Sequence, residues 1–338
     1  RAGWAQALWW SAFVACAAAL AAVELAHHRG RITVGNRDFF GMAERAAALP
    51  GDLCAWVSGL YPVGIPLFLR AGLALGLDVV VTGRIASLVG GLALLSGGAV
   101  LAWHLTHSRL FALLTMGCLL TTRAVLFYSG FEGTDALAAG LQVLAVALLA
   151  GDVQRGRVAF LAGVVNGLAY LFRYTALVTL LVCIAYLLSV ALAARAWRRL
   201  WNAGWYALGF LGGALAQLVP SLLVTGNPFY QTQAYHIWIK LYADSDFMRV
   251  VGSGSAPREI SLLELVRLGP QRFVRNWWGE FSRFWVSDAV PLLDQPLAQL
   301  SRAGLLFTLL DAHCIAGARR ALLAFVVGGV VGILSIFT

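Results

Sequence analysis

Four charged residues along this sequence, three carboxylates and one arginine, are of the types that catalyse group transfer. Asp38 follows the first long apolar segment, and Arg173 lies at a turn between two later ones. Glu132 and Asp135 bracket a further turn, in the sequence Phe-Glu-Gly-Thr-Asp. A carboxylate can accept the proton of a reacting hydroxyl, and a guanidinium can stabilise a departing phosphate. These residues therefore indicate general-base catalysis by a carboxylate beside a cation.

Each of these residues also has a purely structural interpretation. A loop aspartate such as Asp38 is usually just solvated, and Asp135 begins an apolar run, where it would favour a helix N-terminus. Arg123, near the end of another apolar run, is a further candidate cation and an alternative ion-pair partner of Glu132 or Asp135. We expect Arg84 to be an interfacial anchor whose side chain reaches toward water.

The remaining polar residues offer weaker signals. Lys240, the single lysine, follows His236 by four residues, so on a helix the two side chains would share a face and could contact an anionic headgroup. The alternative is a solvated surface. No zinc-ligand spacing, Walker-type phosphate loop or nucleophile elbow occurs, and the five cysteines include no Cys-x-x-Cys pair. We expect no metal site and no bound cofactor, with a divalent-metal requirement left open.

The composition is that of a polytopic α-helical membrane protein. Of 338 residues, 60% are hydrophobic and 12% are charged, with a mean hydropathy of +0.78, whereas soluble domains carry about 25% charged residues. Apolar runs of about 20 residues recur along the chain, as bilayer-spanning helices require. The net charge of +9 comes from basic residues in short loops, which we expect to form no patch or stripe, and this argues against a nucleic-acid partner.

The hydropathy pattern predicts about nine transmembrane helices. They cover residues 4–26, 79–103, 110–128, 135–150, 158–172, 174–193, 203–225, 303–315 and 321–337. Residues 158–194 would be about 55 Å long as one helix, too long for one crossing, so we expect two helices with a reversal near Arg173 and Tyr174. Arginine clusters between the other spans favour a cytoplasmic N-terminus.

Two long connections would then lie outside the cytoplasm, at residues 27–78 and 226–302. The second has apolar residues at helical spacing from Ile260 to Val274, which predicts a helix lying on the membrane surface or over the protein. We divide the chain into a main transmembrane module, residues 1–302, and a C-terminal transmembrane hairpin, residues 303–338. Both ends of the sequence look cut, and we expect the hairpin to be incomplete.

Several short sequence elements occur in the order found in a known family. Asp38 follows the first span, and Thr134-Asp135 precedes the fourth. Tyr61 to Pro66 has the pattern Tyr-Pro-x-x-x-Pro, and Gly167 to Arg173 has the pattern Gly-Leu-Ala-x-Leu-x-Arg. Asn227-Pro228 closes the seventh span. Together these elements resemble the GT-C glycosyltransferases, in particular the bacterial relatives of dolichyl-phosphate-mannose protein mannosyltransferases.

The resemblance implies a GT-C-like catalytic module in the cell inner membrane, with its active site facing the periplasm or exterior. It implies a sugar donor carried on a polyprenyl phosphate and a hydroxyl acceptor on a protein, lipid or glycan. Asp38 would be the catalytic base, and Asp135, with Glu132 beside it, would match the family's acidic residue before the fourth span. Arg37 precedes Asp38 where many relatives have a second acidic residue. For the donor phosphate the candidate ligands are, in order, Arg173, Arg123 and Lys240.

Two other functions remain consistent with the sequence. A catalytically silent relative, serving as a structural subunit of a larger membrane complex, would use its abundant glycine and alanine at helix surfaces to pack against partners. A lipid or small-solute transporter is less favoured, because charged residues are scarce within the spans and no internal repeat is visible. A transferase predicts that Asp38, Asp135 and Arg173 line one cavity.

Overall fold

The computed structural model describes residues 11–12, 14–22, 37–152, 154–232, 238 and 262–283. Within these ranges the secondary structure is helical and contains no β-strand, in agreement with the all-α prediction. After a helical stretch at residues 14–22 come helices α1 (Arg37–Ala48), α2 (Gly64–Ala74), α3 (Val79–Thr106), α4 (Arg109–Thr121), α5 (Arg123–Gly130), α6 (Asp135–Gly151), α7 (Gly156–Tyr170), α8 (Ala176–Ala193), α9 (Leu200–Thr225), α10 (Leu262–Leu268) and α11 (Pro270–Arg283). Two short 3₁₀-helices cover Leu53–Trp56 and Trp197–Arg199.

Three of these helices, α3, α8 and α9, are long and apolar enough to cross a membrane. Helices α4 and α5 together would form a fourth span, bent by 67° at the break between them. This length and composition indicate a membrane protein. The number of nine spans stays a prediction, since the predicted spans 303–315 and 321–337 and most of 4–26 lie outside the described residues.

The spans predicted between residues 79 and 225 correspond to helices whose boundaries differ by a few residues. Residues 158–194 form two helices, α7 and α8, as their combined length required. The span predicted at 110–128 is interrupted at Thr122, whose backbone is extended with φ −74° and ψ 119°. The hydroxyls of Thr121 and Thr122 donate to carbonyls of the preceding turn, a local hydrogen bond that bends helices.

The described part of the first long connection folds into helices rather than an irregular loop. Helix α1 forms because three of its apolar residues, Phe39, Met42 and Ala46, recur at helical spacing and are buried, and the buried Leu49 directly follows it. The helix predicted in the second long connection is present as two helices, α10 and α11, separated at Gly269. Pro270 is the first residue of α11. Proline is tolerated there because the first N–H groups of a helix have no acceptor within the helix.

Glycines allow α7 and α9 to pack with their backbones in contact. A Cβ added at Gly163 or Gly209 would lie 2.1 Å from a carbonyl oxygen of the other helix. Gly167 and Gly213, four residues further along, would be similarly close, at 2.2 and 2.3 Å. Each helix therefore carries a Gly-x-x-x-Gly pair on its contact face, the pattern that lets membrane helices approach closely.

Helices α3 and α6 approach each other in the same way. A Cβ added at Gly140 would lie 2.4 Å from the carbonyl oxygen of Gly90, and one added at Gly90 would lie 2.2 Å from the backbone nitrogen of Leu137. Leu137 belongs to the first turn of α6. This contact therefore fixes the start of α6, and the turn before it, against α3.

We predict that Gly213→Ala lowers the thermal unfolding temperature in detergent, because the added methyl would lie 2.3 Å from the Val164 carbonyl oxygen. Overpacking of this kind costs about 1–3 kcal/mol. Gly212→Ala is the matched control on the same helix: its Cβ would meet no atom within 4 Å. Circular dichroism measures the unfolding temperature of both variants. Equal unfolding temperatures would contradict the close packing of α7 against α9.

Candidate functional site

Asp38 lies in the first turn of α1, and the burial of its neighbour fixes its position. Phe39 is 1% exposed and packs over Gly83 of α3, where an added Cβ would lie 2.6 Å from the Phe39 ring. Asp38, one residue earlier, is exposed. A carboxylate in a first turn is also favoured by the helix dipole. The packing of Phe39 against α3 therefore determines where the Asp38 carboxylate lies.

Hydrogen bonds to the backbone hold the segment before α2, which carries Tyr61. The Arg45 guanidinium donates to the carbonyl oxygens of Ala55 at 3.0 Å and Tyr61 at 2.9 Å. Two residues further along, the N–H of Val63 donates to the Gln217 side chain of α9 at 2.8 Å. Because both ends of this short stretch are bonded to helices, the Tyr61 ring has a defined place beside α1.

The turn between α5 and α6 is held against α3 by two buried contacts. The Ser87 hydroxyl donates to the Phe131 carbonyl oxygen at 2.5 Å, and Ser87 is fully buried. Nε of Arg84 donates to Oε1 of Glu132 at 2.9 Å, and the Glu132 side chain is 0% exposed. The turn ends at Asp135, the first residue of α6, where the sequence predicts a helix N-terminus.

These elements enclose a cavity of about 310 Å³ with a charged part and an aromatic part. The charged lining residues are Asp38, Glu132, Asp135 and Arg173. The aromatic ones are Tyr61, Phe127, Tyr128 and Phe131, and Met42, Gly133 and Thr134 complete the lining. The structure therefore brings together the four residues whose types first indicated group-transfer chemistry.

The three carboxylates of this cavity differ in their partners. Glu132 pairs with Arg84, and Asp135 pairs with a terminal nitrogen of Arg173. Asp38 instead accepts a hydrogen bond from a neutral hydroxyl at 2.7 Å. Among the side chains that the structure describes, Asp38 is thus the cavity carboxylate without an ion-pair partner.

Tyr61 connects the acid and the cation of the cavity. Its hydroxyl is the donor to Oδ2 of Asp38, and the guanidinium carbon of Arg173 lies 5.4 Å from the centre of its ring, a cation–π arrangement. Burial, and after it the hydrogen bond to Asp38, raises the pKa of Tyr61 to about 12. The phenol therefore keeps its proton and acts as a donor at neutral pH.

Other candidate ligands fall outside what the structure describes. Arg123 begins α5, but its side chain is not among those described, and the same holds for Arg37 and for the whole of Lys240. In the described ranges no group of three or more histidine, cysteine or acidic side chains could hold a metal ion.

The expectation for Arg84 is wrong. Its side chain is 19% exposed and pairs with the buried carboxylate of Glu132 instead of reaching toward water. The cause is the close contact of α3 with the turn before α6, which no local sequence pattern reveals. Ionisable residues within apolar helices are usually paired. By that rule, a partner for Arg84 was to be expected from the sequence.

The aromatic lining was also not identified from the sequence. The rings of Phe127 and Phe131, four residues apart, stack with centroids 5.3 Å apart, and Tyr128 lies edge-on to both. Phe127 is 48% exposed and Tyr128 is 40% exposed. The signal was the clustering of three aromatic residues directly before the acidic turn.

We predict that Arg84→Met lowers the free energy of unfolding by about 3–5 kcal/mol, because it removes this guanidinium from a buried carboxylate. The double variant Arg84→Met, Glu132→Gln should recover much of that loss. Denaturant unfolding in mixed micelles measures both. Arg155→Met is the control, since its pair with Asp152 is exposed and surface pairs contribute about 0–1 kcal/mol. A loss in Arg84→Met no larger than the control's would refute the buried pair.

We predict that Tyr61 titrates near pH 12 in the folded protein, against about 10 for an ordinary tyrosine. The tyrosinate absorbance of the protein minus that of Tyr61→Phe isolates this group. Protonated Tyr61 contributes to the free energy of unfolding. This contribution is fully present below about pH 10, the pKa of an unfolded tyrosine, and is lost as the pH rises through the pKa of the folded protein. In Asp38→Asn, where the charged acceptor is gone, the midpoint should fall. An unchanged midpoint in that variant would exclude the hydrogen bond.

Comparisons with known proteins do not assign a family. No protein-family model matches the chain, and no curated protein matches its sequence. A functional conclusion for this chain therefore depends on its cavity, its charge pairing and its membrane-length helices.

Proposed function

We propose that this chain is a membrane glycosyltransferase that uses a sugar carried on a polyprenyl phosphate. It transfers the sugar to a hydroxyl of a protein, lipid or glycan acceptor, and Asp38 is the general base. The fold is a GT-C-like bundle of about nine spans in the cell inner membrane. The cavity faces the periplasm or exterior, where both the donor headgroup and the acceptor can reach it.

The observation that carries this proposal is the difference among the three cavity carboxylates. Glu132 and Asp135 are each neutralised by an arginine, whereas Asp38 forms no ion pair with a described side chain. Its Oδ2 accepts from a hydroxyl, and within the described residues its Oδ1 accepts no hydrogen bond. A general base needs an oxygen within hydrogen-bond reach of the proton that it takes. Asp38 is the carboxylate that meets this requirement.

The reaction is a displacement at the anomeric carbon of the sugar. Asp38 takes the proton of the acceptor hydroxyl while the acceptor oxygen forms its bond to that carbon. The bond from the anomeric carbon to the phosphate oxygen breaks, and the polyprenyl phosphate leaves with both bonding electrons. Because the base and the leaving group lie on opposite faces of the sugar, the configuration inverts.

Arg173 stabilises the phosphate as its negative charge increases. One terminal nitrogen is used by Asp135, but a guanidinium has five N–H donors in a planar fork that matches phosphate oxygens. The side chain is 30% exposed, so the remaining donors are accessible from the cavity. Arg123 and Lys240 complete the set of candidate phosphate ligands.

The size and lining of the cavity favour a sugar headgroup as its occupant. Its volume of about 310 Å³ is at the lower end of the range for ligand sites, about 300–1,000 Å³. That is room for a sugar with its phosphate, and the polyprenyl chain must lie outside. Phe127 and Tyr128 line the same cavity as the charged residues, and ligand sites commonly combine aromatic surface with a few polar groups in this way.

We predict that Asp38→Asn reduces the turnover rate of sugar transfer by about 10²–10⁴-fold, the contribution typical of a general base. The assay follows transfer from a synthetic polyprenyl-phosphate sugar by the protein reconstituted in vesicles. Thermal melting should show that the variant still folds, because Asp38 is exposed and the asparagine oxygen can still accept the Tyr61 hydrogen bond. Undiminished transfer by Asp38→Asn would eliminate Asp38 as the base.

Asp52→Asn is the matched control for this experiment. Asp52 is an exposed aspartate of the same segment and caps the 3₁₀-helix, a role that asparagine fills equally well. Its transfer rate should be unchanged. If the unaltered protein transfers no sugar from any polyprenyl-phosphate donor, the structural-subunit alternative is favoured instead.

A further inference from the structure

Three exposed tryptophans recur every four residues where α9 begins. Trp197 is 70% exposed, Trp201 is 73% exposed and Trp205 is 47% exposed. Residues four apart lie on the same side of a helix, so Trp201 and Trp205 share a side of α9, and Trp197 lies in the 3₁₀-helix that leads into it. We call these three exposed indoles the tryptophan ladder. In membrane proteins, tryptophan is enriched at the level of the lipid headgroups. The tryptophan ladder therefore marks a headgroup level of the bilayer.

Further along α9, exposed residues at spacings of three and four are aliphatic. They are Leu208, Leu211, Leu215, Val219 and Leu222. Helix α9 has 26 residues, about 39 Å at 1.5 Å per residue, whereas the hydrocarbon core is about 30 Å thick. Part of α9 must therefore project beyond the core. The change from tryptophan to leucine places the projecting part at its N-terminal end.

Arginines surround the tryptophan ladder. Arg155 precedes α7 and Arg157 lies in its first turn, while Arg195 follows α8 and Arg199 lies in the 3₁₀-helix before α9. The Arg155 side chain is 78% exposed, and Arg157 and Arg195 are exposed as well. We call these four residues the basic collar. Asp152, paired with Arg155, is the acidic side chain described beside them.

Contacts between the helix ends make the basic collar and the tryptophan ladder one surface. The Arg199 guanidinium donates to Oε1 of Gln154, in the turn before α7, at 3.3 Å. The Trp205 ring lies over the first residue of α7, where a Cβ added at Gly156 would be 2.9 Å from it. The arginines from three different helix ends thus lie around the indoles rather than on separate sides of the protein.

Arg195 adopts a backbone conformation that a residue with a side chain rarely takes. Its φ is +48°, in the left-handed region where helices usually end on glycine. The N–H of Ala196 donates to the Ala191 carbonyl oxygen at 3.0 Å, so the helix end itself is well formed. Backbone strain of this kind persists only where the surrounding structure stabilises it. Arg195 therefore provides a guanidinium where glycine would relieve strain.

From these observations we propose that the basic collar and the tryptophan ladder bind the headgroups of anionic phospholipids. The guanidinium groups bind the lipid phosphate through paired N–H donors. The indoles lie at the headgroup level, and the aliphatic side of α9 contacts the acyl chains. This lipid surface is formed by residues away from the cavity, so it does not depend on sugar transfer.

Quenching of tryptophan fluorescence by brominated lipids tests this surface. The full chain is reconstituted in phosphatidylcholine vesicles that contain either brominated phosphatidylglycerol or brominated phosphatidylcholine at the same mole fraction. Bromine quenches every indole in contact with it, and the chain has 12 tryptophans. The difference in quenching between each protein and its counterpart carrying Trp197→Phe, Trp201→Phe and Trp205→Phe isolates the tryptophan ladder, which then reports which lipid is adjacent. We expect several-fold stronger association of the anionic lipid, and we expect high salt to weaken it.

A triple variant, Arg155→Gln, Arg157→Gln and Arg195→Gln, should lose this preference, since each basic residue near a membrane surface contributes about a fivefold change in association with anionic lipid. The matched control removes the same charge from three other exposed arginines: Arg70, Arg267 and Arg275. The control should keep the preference. Equal loss in both triple variants, or no loss in the first, overturns the proposal.

Two further results complete the test. Arg195→Gly should raise the melting temperature by relieving the left-handed strain and, at the same time, reduce the preference for phosphatidylglycerol; a misfolded variant cannot do both. Unchanged lipid preference in Arg195→Gly would remove Arg195 from the surface. Abolition of the preference by inorganic phosphate at constant ionic strength would assign the surface to a soluble anion and overturn the proposal.

Discussion

The contact between the backbones of α3 and α6 is the constraint on which the rest of the site depends. Gly90 and Gly140 have no side chains to separate the two helices, so the start of α6 lies directly against α3. The turn that precedes α6 is then close enough for Arg84 to pair with Glu132. Any larger residue at this crossing would move both Glu132 and Asp135 away from the cavity wall.

Charge pairing distinguishes the three carboxylates of one cavity. Arg84 neutralises Glu132, which suits a buried structural acid, and Arg173 neutralises Asp135 while remaining partly exposed. Asp38 is left with a neutral donor, Tyr61. Three unpaired carboxylates this close together would repel one another. The two arginines remove most of that repulsion by neutralising two of the three negative charges.

Small residues on the helix surfaces are used within the chain. Gly163 and Gly167 of α7 meet Gly209 and Gly213 of α9, so these glycines need no partner subunit to account for them. Tryptophan and leucine on the exposed side of α9, with arginines at the neighbouring helix ends, are instead consistent with a lipid boundary. The cavity and the lipid-facing surface therefore belong to different parts of the same helical bundle.

The sequence was sufficient to predict the helical segments between residues 79 and 225, because apolar length and flanking arginines are local properties. It also drew attention to Asp38, Glu132, Asp135 and Arg173, since ionisable residues are conspicuous in so apolar a chain. The partners of those residues depend on how the helices pack in three dimensions. Arg84 was misread, and Tyr61 was noted only for its motif, because their roles arise from contacts between residues 48 and 23 positions apart. Hydropathy carries no information on which helix faces meet, and that choice is made by the close packing of glycines across helices.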